Sequence, residues 1–207
     1  MKNRNAIFTT ILLAVGVLAL SPIAQAVVPA PDGGYPGFNT AEGQNALFSR
    51  TTGLWNTALG AFTLYRDTTG NGNTAVGINC LRHNVVGGFN TAVGLNALYA
   101  NDATGTGLGS YNSAVGSYAL FSDTDGWGNT AFGSDALYLN TTGDRNTAIG
   151  SEALVLNTAS ANTAVGNGAL NANVEGMSRR ICRMNACASC ACWGVALRPV
   201  PIAHTGS

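Results

Sequence analysis

Charge is scarce in this chain: 10% of its 207 residues are Asp, Glu, Lys or Arg, and ten basic side chains face ten acidic ones. A catalytic constellation therefore has few parts to draw on. His83 and His204 are the only histidines, and neither stands in a triad or metal-ligand spacing. No phosphate loop, nucleophile elbow or zinc-protease helix motif occurs. The acidic residues scatter over loop positions instead of pairing as glycoside hydrolysis requires. Asp123-Thr124-Asp125-Gly126 starts like a calcium loop but lacks the later ligands. The expectation is a protein that is no enzyme and takes no metal or cofactor.

Long apolar runs are also missing after residue 26, so no integral membrane segment is expected there. Before it, Lys2 and Arg4 precede an apolar stretch from Ala6 to Leu20, and Ala24-Gln25-Ala26 fits a small-x-small cleavage site. Residues 1–26 read as a secretory signal peptide, which predicts an exported chain that is extracellular or on the cell surface. Residues 27–36 form an N-terminal linker. The repeats that follow are acidic, which argues against nucleic acid as a partner.

What the chain does have is glycine, 27 of them, with 46% hydrophobic residues. That much apolar content argues for order, and internal repetition shows which order. The string Asn-Thr-Ala-apolar-Gly, with Ser113 in place of Thr in one unit, starts at Asn39, Asn56, Asn73, Asn90, Asn112, Asn129, Asn146 and Asn162, with spacings of 17, 17, 17, 22, 17, 17 and 16 residues. With that Asn as position 1, as in Asn56, Asn73, Asn90 and Asn129, position 5 is always Gly, as in Gly60, Gly77, Gly94 and Gly133. Position 9 is always Leu, as in Leu64, Leu81, Leu98 and Leu137. Position 4 is apolar except at Glu42, which suits a terminal coil.

Thr74-Ala75-Val76 alternates as a strand does, and a second apolar segment such as Ala97-Leu98-Tyr99 follows the glycine. Thr/Asp/Asn/Gly clusters then close each unit. Helical repeats run to about 33 residues or more, and the Gly and Asn-Thr pairs oppose a helix. The pattern predicts a parallel β-solenoid over residues 37–176, eight coils of about 17 residues with two strands each. Positions 4 and 9 are expected to form apolar ladders inside. Position 1 is expected to form an Asn ladder bonded from coil to coil, and the position-2 threonines to point inward. Cys80, in an Ala slot, reads as a small packed side chain, and His83 as an exposed loop residue. Surplus apolar positions give a physical motive for packing several chains together.

Asn-Thr-Ala-Val-Gly with its following Ala-Leu resembles the head repeats of trimeric autotransporter adhesins, the YadA-like heads, and similar arrays in phage tail fibres. The resemblance implies an all-β, left-handed parallel β-roll, a homotrimer, and an adhesive or structural role toward a surface, matrix or glycan ligand. It covers the repeats alone: the unit is longer than is typical of those heads, and neither stalk heptads nor a barrel-anchor strand pattern is present. The alternative expectation is a monomeric secreted solenoid that binds ice or glycan through its Thr ladder.

Asp102 to Tyr111 carries a five-residue insertion in unit four, expected to project from the rod as ordinary loop variation. After Gly176 the pattern fails, and residues 177–207 hold Cys182, Cys187, Cys190 and Cys192 together with four arginines. This tail reads as a disordered or frameshifted continuation of the array, with a disulfide or metal element as alternatives.

Overall fold

The computed structural model describes residues 35–173 and the backbone of residues 181–183. Residues 1–34, where a signal peptide and most of a linker were expected, and the rest of the expected tail lie outside the described residues.

The described chain is all-β, with no helix, and winds as a parallel solenoid of about seven turns. Each coil contributes one three-residue strand: β1 Thr40–Glu42, β2 Thr57–Leu59, β3 Thr74–Val76, β4 Thr91–Val93, β5 Ser113–Val115, β6 Thr130–Phe132, β7 Thr147–Ile149 and β8 Thr163–Val165. They form a single sheet in chain order, and the register sets each position on its equivalent, as in Ala75 on Ala92. The 22-residue unit keeps this register, with Ala92 on Ala114. At about 4.8 Å per strand the eight coils stack to about 34 Å. A ninth strand, β9 Ile181–Arg183, pairs in parallel on β8.

Two strands per coil were expected, and the structure has one. Positions 7 and 9 of each unit, where the second strand was placed, are in the left-handed backbone region: Asn79 and Leu81 at φ 58° and 50°, Asn96 and Leu98 at 55° and 50°. A pleated strand turns successive side chains to opposite faces. Here positions 8 and 9 both enter the core, with Ala97 and Leu98 fully buried, and a left-handed residue is what lets two neighbours point the same way. The bend still bonds from coil to coil, as in Leu81 N–H to Ala97 O at 3.1 Å and Asn96 N–H to Ile78 O at 2.9 Å.

The strand face also differs from the expectation. Position 3 is buried and position 4 is not: Ala75 is fully enclosed, Val76 is half-buried, and Phe132 is 57% exposed. Position 2 follows position 4, so the threonines that were expected to point inward point outward. The core is thus thin, filled by Ala at position 3 on one wall and by positions 8 and 9 on the other. Cys80 takes its position-8 slot fully buried, as its size suggested.

Candidate functional surface

The repeat-defining residues sit within the wall. Asn56, Asn73, Asn90 and Asn129 are fully buried. Each Nδ2 spans its own coil to the position-15 carbonyl, as in Asn56 to Gly70 O at 2.8 Å and Asn73 to Gly87 O at 2.9 Å. Each Oδ1 accepts the backbone N–H of the next coil's asparagine, as in Asn73 N–H to Asn56 Oδ1 at 2.9 Å and Asn90 N–H to Asn73 Oδ1 at 3.0 Å. The ladder therefore runs mainly from side chain to backbone, and the expected amide-to-amide bonds join it in the last coils, Asn146 Nδ2 to Asn129 Oδ1 at 3.2 Å and Asn162 Nδ2 to Asn146 Oδ1 at 3.3 Å. Asn73→Ala leaves the buried N–H of Asn90 without its acceptor, an expected cost of about 2 to 3 kcal/mol. Hydrogen exchange checks it, with the Asn90 amide losing protection first.

Gly60, Gly77, Gly94 and Gly133 hold φ between 128° and 138°, where the chain bends from the strand and passes directly over the next coil. Leu64, Leu81, Leu98 and Leu137 are fully buried. All twelve are thus scaffold positions, and the surface is built by their neighbours.

A second polar column escaped the sequence reading. Position 12 holds Asp67, Asn84, Asn101, Asp123, Asn140 and Asn157, all fully buried. Their side chains bond along the rod: Asn84 Nδ2 to Asp67 Oδ1 at 2.8 Å, Asn101 Nδ2 to Asn84 Oδ1 at 2.7 Å, Asn140 Nδ2 to Asp123 Oδ1 at 3.1 Å. Aligning the units at position 12 would have shown the Asn/Asp column. It was hidden because Asn and Asp in a turn cluster are ordinary turn residues. Burial pushes Asp67 up to about 7, against its bond from Asn84, and raises Asp123 as well.

This column also changes the reading of the Asp123-to-Gly126 segment. Asp123 is buried and accepts from the amides of Asn112 and Asn140, whereas Asp125 receives the hydroxyls of Thr104 and Thr106 at 2.7 and 2.8 Å. The two carboxylates thus serve different partners. Among the described residues no cluster of three or more His, Cys, Asp or Glu is placed to hold a metal ion.

The unit-four insertion is tied to the wall at its first residue. In regular coils the position-13 carbonyl accepts N–H groups from the coil before, as Thr68 O does from Thr52 and Gly53 at 3.1 and 3.3 Å. In unit four the Asp102 carboxylate takes that part, accepting from Val86 and Gly87 N–H at 2.8 Å each, and it also accepts from Gly107 N–H at 2.7 Å.

Two outward surfaces remain. On the strand side the position-2 threonines lie beside position 4 and position 6, where Ile78 is 52% exposed and Leu95 39%. Aromatics at the end of several units precede the next strand, with Phe89 stacked on Tyr111 at 5.1 Å and Arg145 over Trp127 at 5.1 Å. On the bend side, position 10 carries a second column, with Tyr99 on Phe121 at 5.1 Å and Phe121 on Tyr138 at 5.2 Å. His83, expected as an exposed loop residue, is half-buried against Tyr99, with ring centroids 4.8 Å apart. Comparison of the chain with family models, with curated proteins and with solved structures found no match.

Proposed function

We propose that this chain is an exported structural and adhesive module of a cell surface or fibre, without catalytic activity. In this reading the solenoid is a left-handed roll that assembles as a homotrimer. One observation carries it: the strand side of the rod is a regular, nearly uncharged face whose apolar column at position 4 exposes Phe132, Ile149 and Val165 and leaves Val93 half-buried. A contiguous apolar face of this kind on a soluble rod favours an interface, and a second and third copy offer matching columns at the same coil spacing. The resemblance of the repeats to YadA-like heads and tail-fibre arrays supports the same arrangement.

The outward threonines give a specific reason for a second reading. Thr57, Thr74 and Thr91 form one regular row on that face, which is the geometry that a monomeric solenoid binding ice or glycan through a Thr ladder needs. The two readings compete for one surface. Light scattering coupled to size exclusion separates them: a mass of three chains is expected, with Val93→Lys shifting it to one chain. A wild-type monomer overturns the trimeric reading and leaves the Thr-ladder solenoid.

A further inference from the structure

Charge is distributed unevenly along the rod. Residues 35–101 hold Arg50, Arg66 and Arg82 against Glu42 and Asp67, whereas residues 102–173 hold Arg145 against six carboxylates. Of the two acids in the first half, Glu42 lies on the strand side, and Asp67 is buried, its Oδ1 taken by Asn84.

The arginines of the second and third coils converge on the bend side. Arg82 stands at position 10, in the aromatic column. Its guanidinium lies 4.9 Å from the Phe62 ring centroid and 5.7 Å from that of Tyr65, and Nη1 donates to Asn79 Oδ1 at 2.9 Å. It is therefore held in place by rings and an amide, contacts that leave its charge uncompensated. Arg66, exposed at position 11, and His83, at position 11 one coil on, complete the group, joined by Arg66 N–H to Arg82 O at 3.2 Å. Burial first, and then Arg66 and Arg82, hold the His83 imidazole below its usual pKa. Like charges placed together oppose folding, so an ordered cationic and aromatic patch on an otherwise acidic rod points to an anionic ligand.

We propose that Arg66, Arg82 and His83, with the rings of Tyr65 and Tyr99, form a binding site for an anionic polysaccharide. Its sulfate or carboxylate groups pair with the two guanidiniums, bidentate at Arg66, which is exposed, and its sugar rings lie against the half-buried rings of Tyr65 and Tyr99. A polymer is favoured over a small anion because the group lies along the outer bend side, with Arg66 exposed and Arg82 and His83 half-buried, so affinity must come from repeated contacts along the chain and, in an oligomer, from several copies of the site. The inference deepens the adhesive reading by naming its ligand class, and it rests on that reading only for the copy number.

The repeat itself supplies a substitution that spares the fold. Tyr occupies position 10 at Tyr65, Tyr99 and Tyr138, and Ser occupies position 11 at Ser49 and Ser122, so Arg82→Tyr with Arg66→Ser keeps both columns regular. The probe is heparin titrated into the full chain, followed by calorimetry and by the His83 ring resonances, assigned through His83→Ser. Binding that weakens with salt, moves the His83 resonances and drops tenfold or more in the double variant is expected, while Arg145→Ala changes nothing. Equal binding of neutral dextran, equal binding of duplex DNA at matched charge, heparin binding unchanged in the double variant, or no binding by the wild type overturns the proposal. Light scattering on the same samples keeps the outcomes distinct: a trimer that does not bind heparin removes the ligand and leaves the fibre module.

Discussion

Gly116→Val is expected to abolish cooperative folding of the rod, or to lower its stability by about 4 kcal/mol or more, at the exceptional end for one substitution. Gly116 holds φ 136°, where a side chain is strained, and a Cβ there meets Gly133 O at 2.5 Å and Ser134 N at 3.0 Å. The obstruction is backbone of the next coil, held down by Gly133 N–H to Val115 O at 2.8 Å, so no side chain can swing aside to relieve it. In a solenoid each coil is supported only by its neighbours. A fault at the fifth coil divides the array into two short stacks. Gly43→Val meets Gly60 O at a similar 2.6 Å, but it lies in the first coil, so it should fray one end and cost less. Thermal melts followed by circular dichroism compare the two, and equal midpoints for Gly116→Val and wild type would refute the close-stacking account.

Asp67→Asn and Asp123→Asn should act in the opposite direction and stabilise the rod at neutral pH. Asp67 is buried in the amide column, where burial raises it from 3.8 to about 7, and its Oδ2 has no hydrogen-bond partner. A folded-state value above the unfolded one means that the native state binds its proton more tightly. The stability from that proton is full below pH about 4, declines as pH rises, and is lost once pH passes about 7. The groups facing Asp67 are Asn84 and Gly70, with Asp102 raising and Arg50 lowering the value. Removing the ionisation recovers about 2 to 4 kcal/mol above pH 7 for Asp67, with a further gain in the same direction for Asp123, which burial also raises. Asparagine adds a donor as well, since Asn84 Nδ2 already reaches Gly87 O at 2.9 Å from the equivalent place. Denaturant melts between pH 4 and 8 should show wild-type stability falling with pH and a flatter double variant. Parallel slopes would mean that the two carboxylates titrate normally.

Much of the rod was legible because a solenoid writes its structure as a period. Eight copies of Asn-Thr/Ser-Ala-x-Gly set the number of coils, the register and the buried Asn column, since stacked positions must be chemically alike to bond with one another. The sense in which each column faces was not legible from alternation alone. A shift of one residue exchanges the two faces of a strand, so Thr-Ala-Val reads equally well with Val inside or Ala inside. Size was the usable signal: position 3 is Ala in all eight units, while position 4 ranges from Glu42 to Phe132. A thin close-packed core tolerates one size, whereas an outer face tolerates many.

What the sequence alone determined is the repeat, its length and the stacked Asn, Gly and Leu columns of positions 1, 5 and 9. The tertiary structure decided three further things: that the second apolar segment is a left-handed bend carrying Ala97 and Leu98 into the core together, that Asp67 and Asp123 belong to a buried amide column, and that Arg66, Arg82 and His83 meet on one side. The first depends on backbone angles that leave no period-two or helical trace. The others depend on which residues, 16 or 17 apart in the chain, the winding brings about 5 Å from each other.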